Sequence, residues 1–238
     1  LIEGEDTAVV LRAATLLSRF GRVAESAVPA LVKATAQLGE QDTDAVLPKA
    51  LGVIGEGAVE DIITGLAASQ YPEMTLRRYV DALTLTGTGA IPSLAIALAH
   101  ASPQVRSGAA LTLGASGKTA EHLVPKIITL LDDDDVFVRA SAAEALGDLG
   151  PVARAAAPAL AGKLEDADPR VRAAAVIGLG KPAGDDVTYT GLFASALKAD
   201  DASVRIAATR VMSKLPAVTT ASVENLVAAL VDENEHVR

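Results

Sequence analysis

Residues 133–139, Asp-Asp-Asp-Val-Phe-Val-Arg, and residues 166–172, Asp-Ala-Asp-Pro-Arg-Val-Arg, are two copies of one pattern. Each copy leads into an alanine-rich segment that ends in Leu-Gly. The Val-Arg pair recurs at a constant offset of 33 residues, at positions 105–106, 138–139, 171–172, 204–205 and 237–238. Self-similarity at a fixed period of this length is the signature of a repeat architecture in which each unit packs only on its neighbours.

The composition favours stacked helices. Half of the residues are apolar but only 3% are aromatic, so the buried surface must come from Ala, Leu, Val and Ile. Alanine is the best helix former, and small side chains allow helices to approach closely. We therefore predict an all-α solenoid with about 33 residues per repeat.

Charge and cysteine content limit the possible functions. The formal net charge of -9 argues against a nucleic-acid partner, because phosphate contacts need clustered Lys and Arg. The absence of cysteine excludes disulfides and thiolate metal sites. The sequence has no apolar run long enough to span a bilayer, so we expect no membrane insertion. We expect a soluble protein, with the cytoplasm slightly favoured although the compartment stays open.

The repeats differ in regularity along the chain. We interpret residues 1–238 as a single array in which residues 91–238 are regular and residues 1–90 are divergent. The regular part predicts second helices at about 103–116, 136–149, 169–180 and 202–215. The sequence starts and stops within a repeat, so we expect it to be a segment of a longer chain.

Two sets of repeated residues have predicted structural roles. The position four before each arginine holds a helix N-cap type, namely Ser102, Asp135, Asp168, Asp201 and Asn234. The repeated arginine lies near the positive end of its helix dipole, where a cation needs compensation. Aspartates six residues before an arginine, such as Asp133, Asp166 and Asp232, are predicted to align with arginines of the same or the adjacent repeat, where bidentate pairing would form a structural ladder. The ladder arginines are Arg106, Arg139, Arg172 and Arg205.

The pattern Pro-x-Leu-x-x-x-Leu, then Asp, then Val-Arg-x-x-Ala-x-x-x-Leu-Gly resembles HEAT repeats, in particular the bacterial-type HEAT-like class of phycobilisome lyases. This resemblance implies a right-handed α-α superhelix of the armadillo-like kind, with one antiparallel helix pair per repeat and the second helices on the concave side. It also implies scaffolding and protein binding as the usual function, while some members act as chromophore lyases. No bilin-handling motif is transferable residue by residue to this sequence.

The second helices provide the candidate binding surface. Positions one and five after each ladder arginine are predicted to point away from the buried stripe. Several of these positions are apolar where a solvated face would be polar, and such area often marks a binding site. Phe137 adds an aromatic side chain where the other copies are polar. The candidate partner-binding residues are Leu111, Phe137, Glu144, Ile177, Ile206 and Arg210.

The acidic run from Asp132 to Asp135 also suggests calcium, but the calcium-loop pattern is absent and the repeat accounts for Asp133 and Asp135. We predict no cofactor, no metal and no catalytic residue. The predicted function is a non-enzymatic scaffold or adaptor that binds a protein partner, which could include other domains of the same longer chain. The alternatives are a bilin lyase or its accessory, and a structural spacer in a multidomain protein.

Overall fold

The computed structural model describes residues 7–38, 45–68, 72–182, 189–214 and 220–238. Every regular element in these ranges is an α-helix or a short 3-10 helix. The prediction of an all-α fold is therefore confirmed. The chain divides into two compact units, Leu1–Ser116 and Gly117–Arg238.

The first unit consists of two layers of helices. Its second helices pack on each other in chain order, and its first helices do the same. The buried Tyr79 joins the layers, because its hydroxyl donates to the carbonyl of Val32 at 3.0 Å, and burial raises the pKa of Tyr79 to about 12. The second helices are α1 (Thr7–Ser18), α3 (Val46–Ile54), α5 (Pro72–Leu85) and α7 (Pro103–Ala115), and the first helices are α2 (Val28–Leu38), α4 (Val59–Ala68) and α6 (Ile91–Ala97).

The second unit repeats this arrangement. Its second helices also pack on each other in chain order. The first helices are α8 (Val124–Thr129), α10 (Ala157–Gly162), α12 (Thr190–Ala196) and α14 (Thr220–Ala229), and the second helices are α9 (Val136–Leu149), α11 (Pro169–Gly180) and α13 (Ala202–Met212). These ranges agree with the predicted second helices to within a few residues.

Helix ends follow the predicted local chemistry with one exception. Carboxylate oxygens of Asp135, Asp168 and Asp201 accept hydrogen bonds from backbone amides two residues ahead at the starts of α9, α11 and α13, at 2.8 to 2.9 Å. The amide oxygen of Asn234 accepts the same kind of bond at 2.9 Å, where a turn follows. Ser102 occupies the same backbone position, but the prediction that its side chain caps α7 is wrong. The Ser102 hydroxyl instead donates to Oε1 of Gln104 at 2.7 Å.

Glycines have two different roles in the second helices. Gly117 and Gly150 have φ values of +58° and +63°, which glycine adopts readily in the turns after α7 and α9. Gly180 is the last residue of α11, whereas Gly147 and Gly114 lie inside α9 and α7. Gly147 is a close-packing residue, because a Cβ atom there would lie 2.7 Å from Cα of Gly178 on the neighbouring helix.

Among the described residues, no single helix is long and apolar enough to cross a membrane. The segments Leu76–Leu85 and Gly87–Ala97 have the length and composition of a span only when they are taken together, and the chain bends by 118° between them.

The close approach of α9 and α11 generates a prediction about stability. Replacing Gly178 with Ala would place a Cβ atom against the carbonyl oxygen of Ala143, so the helices must move apart. We expect Gly178→Ala to lower the free energy of unfolding by about 1 to 3 kcal/mol, measured by urea denaturation. Gly162→Ala is the matched control, since the added methyl group meets nothing within 4 Å and helix propensity improves. Equal stability of the two variants would contradict this packing role.

Candidate protein-binding face

A guanidinium group holds each described repeat of the second unit together, as Arg139 illustrates. Its Nη1 atom donates to the carbonyl oxygens of Asp133 at 3.0 Å and Asp134 at 3.2 Å, in the turn before its own helix. Its Nε and Nη2 atoms donate to the two carboxylate oxygens of Asp166, at 2.9 and 3.1 Å. One arginine therefore fixes its own turn and the turn of the following repeat.

The carboxylate of Asp166 accepts hydrogen bonds from two different groups. Oδ1 of Asp166 accepts a hydrogen bond from the amide of Asp168 at 3.0 Å while it binds Arg139. The same arrangement recurs at Arg205, whose Nε and Nη2 atoms donate to Asp232 at 2.8 and 3.0 Å. These two rungs agree with the predicted bidentate ladder, and both join residues that are 27 positions apart.

The ladder is interrupted at Arg172. Its Nη1 atom donates to the carbonyl oxygens of Asp166 at 2.9 Å and Ala167 at 3.0 Å, as in the other copies. However, the residue 27 positions further on is Ala199, which has no carboxylate. Within the part of the chain that the structure describes, Arg172 therefore forms no ion pair of the ladder type. Arg106 has the same carbonyl contacts in the first unit, with His100 at 2.9 Å and Ala101 at 3.0 Å.

The rungs shift the pKa values of their members. Burial raises the pKa of Asp166, but hydrogen bonds from Arg139 and from the amide of Asp168 outweigh this effect and leave the pKa below its usual range. The hydrogen bond from Arg205 likewise lowers the pKa of Asp232. These shifts stabilise the ionised carboxylates in the folded protein.

The candidate site is a surface of the second unit formed by exposed residues of α9, α11 and α13. On each helix, the residues five and nine positions after the ladder arginine share one face because they are four residues apart. The residue two positions before the ladder arginine lies seven residues, or about two helical turns, before the residue at position five. We call this surface the second-helix face. Its residues are Phe137, Glu144 and Asp148 on α9, Arg170 and Ile177 on α11 with Lys181 directly after it, and Ser203 and Arg210 on α13 with Lys214 two residues after its end.

Two contacts across this face show that equivalent positions are neighbours. Nζ of Lys181 lies 3.4 Å from Oδ1 of Asp148, and the guanidinium carbon of Arg170 lies 4.7 Å from the centre of the Phe137 ring. Asp168 also binds Arg170, at 2.8 Å between Nη2 and Oδ2, and this hydrogen bond lowers the pKa of Asp168 to about 2. The ring of Phe137 therefore contacts the guanidinium group of Arg170 in the following repeat. It also leaves 43% of its surface exposed.

The structure brings together most, but not all, of the sequence-predicted site residues. Glu144, Ile177 and Arg210 are exposed on the second-helix face, and Ile206 is half-buried beside it. Leu111 is half-buried on α7 of the first unit. The sequence-predicted site did not include Asp148, Lys181 and Lys214. Each of them lies nine residues after a ladder arginine, so the 33-residue period was the signal that could have identified them.

An apolar cavity of about 230 Å³ lies elsewhere in the second unit. Its wall includes Arg238, whose Nη1 atom donates to the carbonyl oxygen of Asp232 at 2.7 Å, as the ladder arginines do in their own turns. The lining residues are Thr209, Val223, Leu226, Val227, Ala229, Leu230, Val237 and Arg238.

The acidic run at 132–135 has local partners. Asp132 binds Nζ of Lys163 at 2.6 Å, while Asp133 and Asp135 accept backbone hydrogen bonds. Among the described residues, no group of three or more His, Cys, Asp or Glu is placed to hold a metal ion.

The family model of HEAT repeats matches residues 59–147, 91–180 and 124–213. Together these matches cover more than half of the chain. The chain belongs to the HEAT-repeat family. This membership confirms the resemblance inferred from the Val-Arg pattern. No curated protein matches the HEAT-repeat chain in sequence.

Solved structures with a similar arrangement include a crystal structure of an engineered protein, at 20% identity and a TM-score of 0.46. That match covers 94% of this chain and 94% of the engineered protein. The complex of CpcE and CpcF of phycocyanin lyase from Nostoc sp. PCC7120 matches at 23% identity with a TM-score of 0.47, over 88% of this chain and 90% of that chain.

The interrupted rung of the HEAT array can be completed by one substitution. Ala199→Asp places a carboxylate 27 residues after Arg172, and the carbonyl oxygen of Ala199 already binds Arg205 at 3.0 Å as the ladder aspartates bind theirs. We expect the free energy of unfolding to rise by about 0.5 to 1 kcal/mol. Ala199→Asn is the matched control, because it can accept the same backbone hydrogen bond without the charge. A gain of the same size in both variants would show that capping, and not the ion pair, is responsible.

Acid should weaken the ladder. Because the pKa values of Asp166 and Asp232 are lowered on folding, their stabilisation is complete above the ordinary aspartate pKa. It is lost as the pH falls below about 4, when the folded carboxylates take up protons. We expect the free energy of unfolding to decrease from about pH 5 to pH 2, and to decrease less steeply in Asp166→Asn. Denaturation curves measured at several pH values in this range test the effect. An equal change of the free energy of unfolding with pH in the two proteins would refute it.

Proposed function

We propose that this HEAT-repeat chain is a non-enzymatic scaffold that binds a protein partner through its second-helix face. The observation that carries the proposal is Ile177, which lies on the middle helix of the face and leaves 40% of its surface exposed. The equivalent positions on the two neighbouring helices hold the exposed charged residues Glu144 and Arg210.

The surroundings of Ile177 extend its apolar surface. Ala140, Ala173 and Ile206 are half-buried at the positions one after their ladder arginines, and Phe137 is exposed on the first of the three helices. These residues form a strip on consecutive helices rather than isolated apolar side chains. Apolar strips rimmed by polar residues are typical of protein-interaction sites. HEAT repeats as a fold suggest the same general role, and their stacked units provide extended binding surfaces.

The two alternatives stay predictions. A structural spacer in a multidomain protein is the first, and the repeat pattern is its only support. The chromophore-lyase alternative stays a prediction from the family resemblance, and no contact among the described residues adds to it.

A selection from a random-peptide display library tests the binding proposal. The purified chain should retain peptides, and Ile177→Glu should weaken their binding about tenfold or more, because a carboxylate replaces the central apolar contact. The affinities of selected peptides can be measured by fluorescence polarisation, and circular dichroism should show unchanged helicity in the variant.

The matched control is Leu192→Glu. Leu192 is 37% exposed on the first helix α12 of the same unit, so the two variants introduce the same charge at apolar sites of similar exposure. We expect Leu192→Glu to bind the selected peptides within about twofold of the unaltered chain. Failure to select any peptide, or equal losses in the two variants, would contradict the proposed function.

A further inference from the structure

The guanidinium group of Arg172 is held in the same way as those of the complete rungs. Its Nη1 atom donates to the carbonyl oxygens of Asp166 at 2.9 Å and Ala167 at 3.0 Å, and Arg139 makes the same two contacts in its own turn. Because a guanidinium group is planar and rigid, these contacts also limit where the edge formed by Nε and Nη2 can lie. In Arg139 and Arg205, this edge binds both oxygens of an aspartate.

The turn at Ala199 has the backbone contacts of a ladder aspartate. The amide of Ala199 donates to the carbonyl oxygen of Ala196 at 3.2 Å, the same length as the equivalent bond of Asp166. The carbonyl oxygen of Ala199 accepts a hydrogen bond from Nη1 of Arg205 at 3.0 Å, as a ladder aspartate does through its own carbonyl oxygen. Residue 199 therefore occupies the ladder position, but with a methyl group where the other copies have a carboxylate.

A backbone amide provides a third donor at this position. Oδ1 of Asp133, Asp166 and Asp232 accepts a hydrogen bond from the amide two residues ahead, at 2.8 to 3.0 Å. The equivalent amide is that of Asp201, which donates to no acceptor within the described ranges. Nε and Nη2 of Arg172 also find no acceptor among those residues. The three donors that bind a carboxylate in the complete rungs thus receive none from residue 199.

The acidic side chains beside this position do not replace the missing one. The carboxylate of Asp201 accepts hydrogen bonds from the hydroxyl of Ser203 and from its amide, the latter at 2.8 Å. These bonds lower the pKa of Asp201, and the charge of Arg172 adds to the effect. Among the residues that the structure describes, neither Asp200 nor Asp201 forms an ion pair with Arg172. Their charges reduce the attraction of an anion, so we expect an affinity in the millimolar range.

We infer that Arg172 and the amide of Asp201 form a binding site for a small carboxylate ion. Nε and Nη2 donate to its two oxygens, and the amide donates to one of them, as in the complete rungs. This orientation directs the substituent of the ligand toward Cβ of Ala199, because ladder aspartates continue to their own Cβ in that direction. Formate fits best, since it has only a hydrogen atom there. Arg172 and Ala199 are both half-buried, so solvent reaches the site.

This inference goes beyond the proposed function, because none of these residues belongs to the second-helix face. Heteronuclear NMR of the isotopically labelled whole chain tests it, with sodium formate replacing sodium chloride at constant ionic strength. The resonances of Arg172 Nε and of the Asp201 amide should shift with one common dissociation constant. The equivalent resonances of Arg139 and Asp168 are internal controls and should not shift, because the carboxylate of Asp166 already binds both groups.

Ala199→Asp should abolish the formate-dependent shifts, because its own carboxylate takes the place of the ligand. Ala155→Asp is the matched control, since Ala155 is an exposed alanine in a different turn of the same unit and the net charge changes equally. We expect Ala155→Asp to keep the formate affinity within about twofold, because salt screens a distant charge.

Three results would overturn the inference. Chloride that shifts the Arg172 and Asp201 resonances as much as formate would show an adventitious ion only. Formate binding that persists in Ala199→Asp would lie at another position. The third result comes from a titration with N-acetyl aspartate amide, which carries the carboxylate of a protein side chain. If it binds as tightly as formate, the site accepts a partner's acidic residue and not specifically a small ion.

Discussion

The arginine that recurs every 33 residues makes the interaction on which the repeat structure depends. Its guanidinium group binds two carbonyl oxygens of the preceding turn, and in complete rungs both oxygens of an aspartate 27 residues ahead. The helix dipole disfavours a cation near the N-terminus of a helix. The four acceptor oxygens compensate for this cost. Since the planar fork matches a carboxylate in one orientation, each complete rung fixes the register between neighbouring repeats.

A fixed register has a consequence for the surface. Once ladder and core residues hold the second helices at constant positions, residues at equal offsets from the arginine become neighbours across the array. The contact between Lys181 and Asp148 and the stacking of Arg170 on Phe137 are two examples. The outer positions can then vary without disturbing the packing, and this variation produces the acidic, apolar and basic rows of the second-helix face.

Much of the fold follows from local patterns in the sequence. Helix starts at Asp135 and Asp168, the turns at Gly117 and Gly150, and the pairing of Arg139 with Asp166 depend on residue types at fixed offsets, which a repeat makes visible. An error arose where a residue had more than one possible partner, since the Ser102 hydroxyl bonds to Gln104 instead of capping α7.

The sequence by itself determined the all-α repeat, its period and the caps at Asp135, Asp168 and Asp201, because each depends on spacing along one chain. Only the tertiary structure decided which carbonyl oxygens complete the arginine site, that Arg170 stacks on Phe137, and that Lys181 lies beside Asp148. The last two are contacts between different repeats, whose atoms meet only when the repeats are stacked. The polarity of the second-helix face emerges at the same level, since it is a difference between neighbouring helices and not a property of any one repeat.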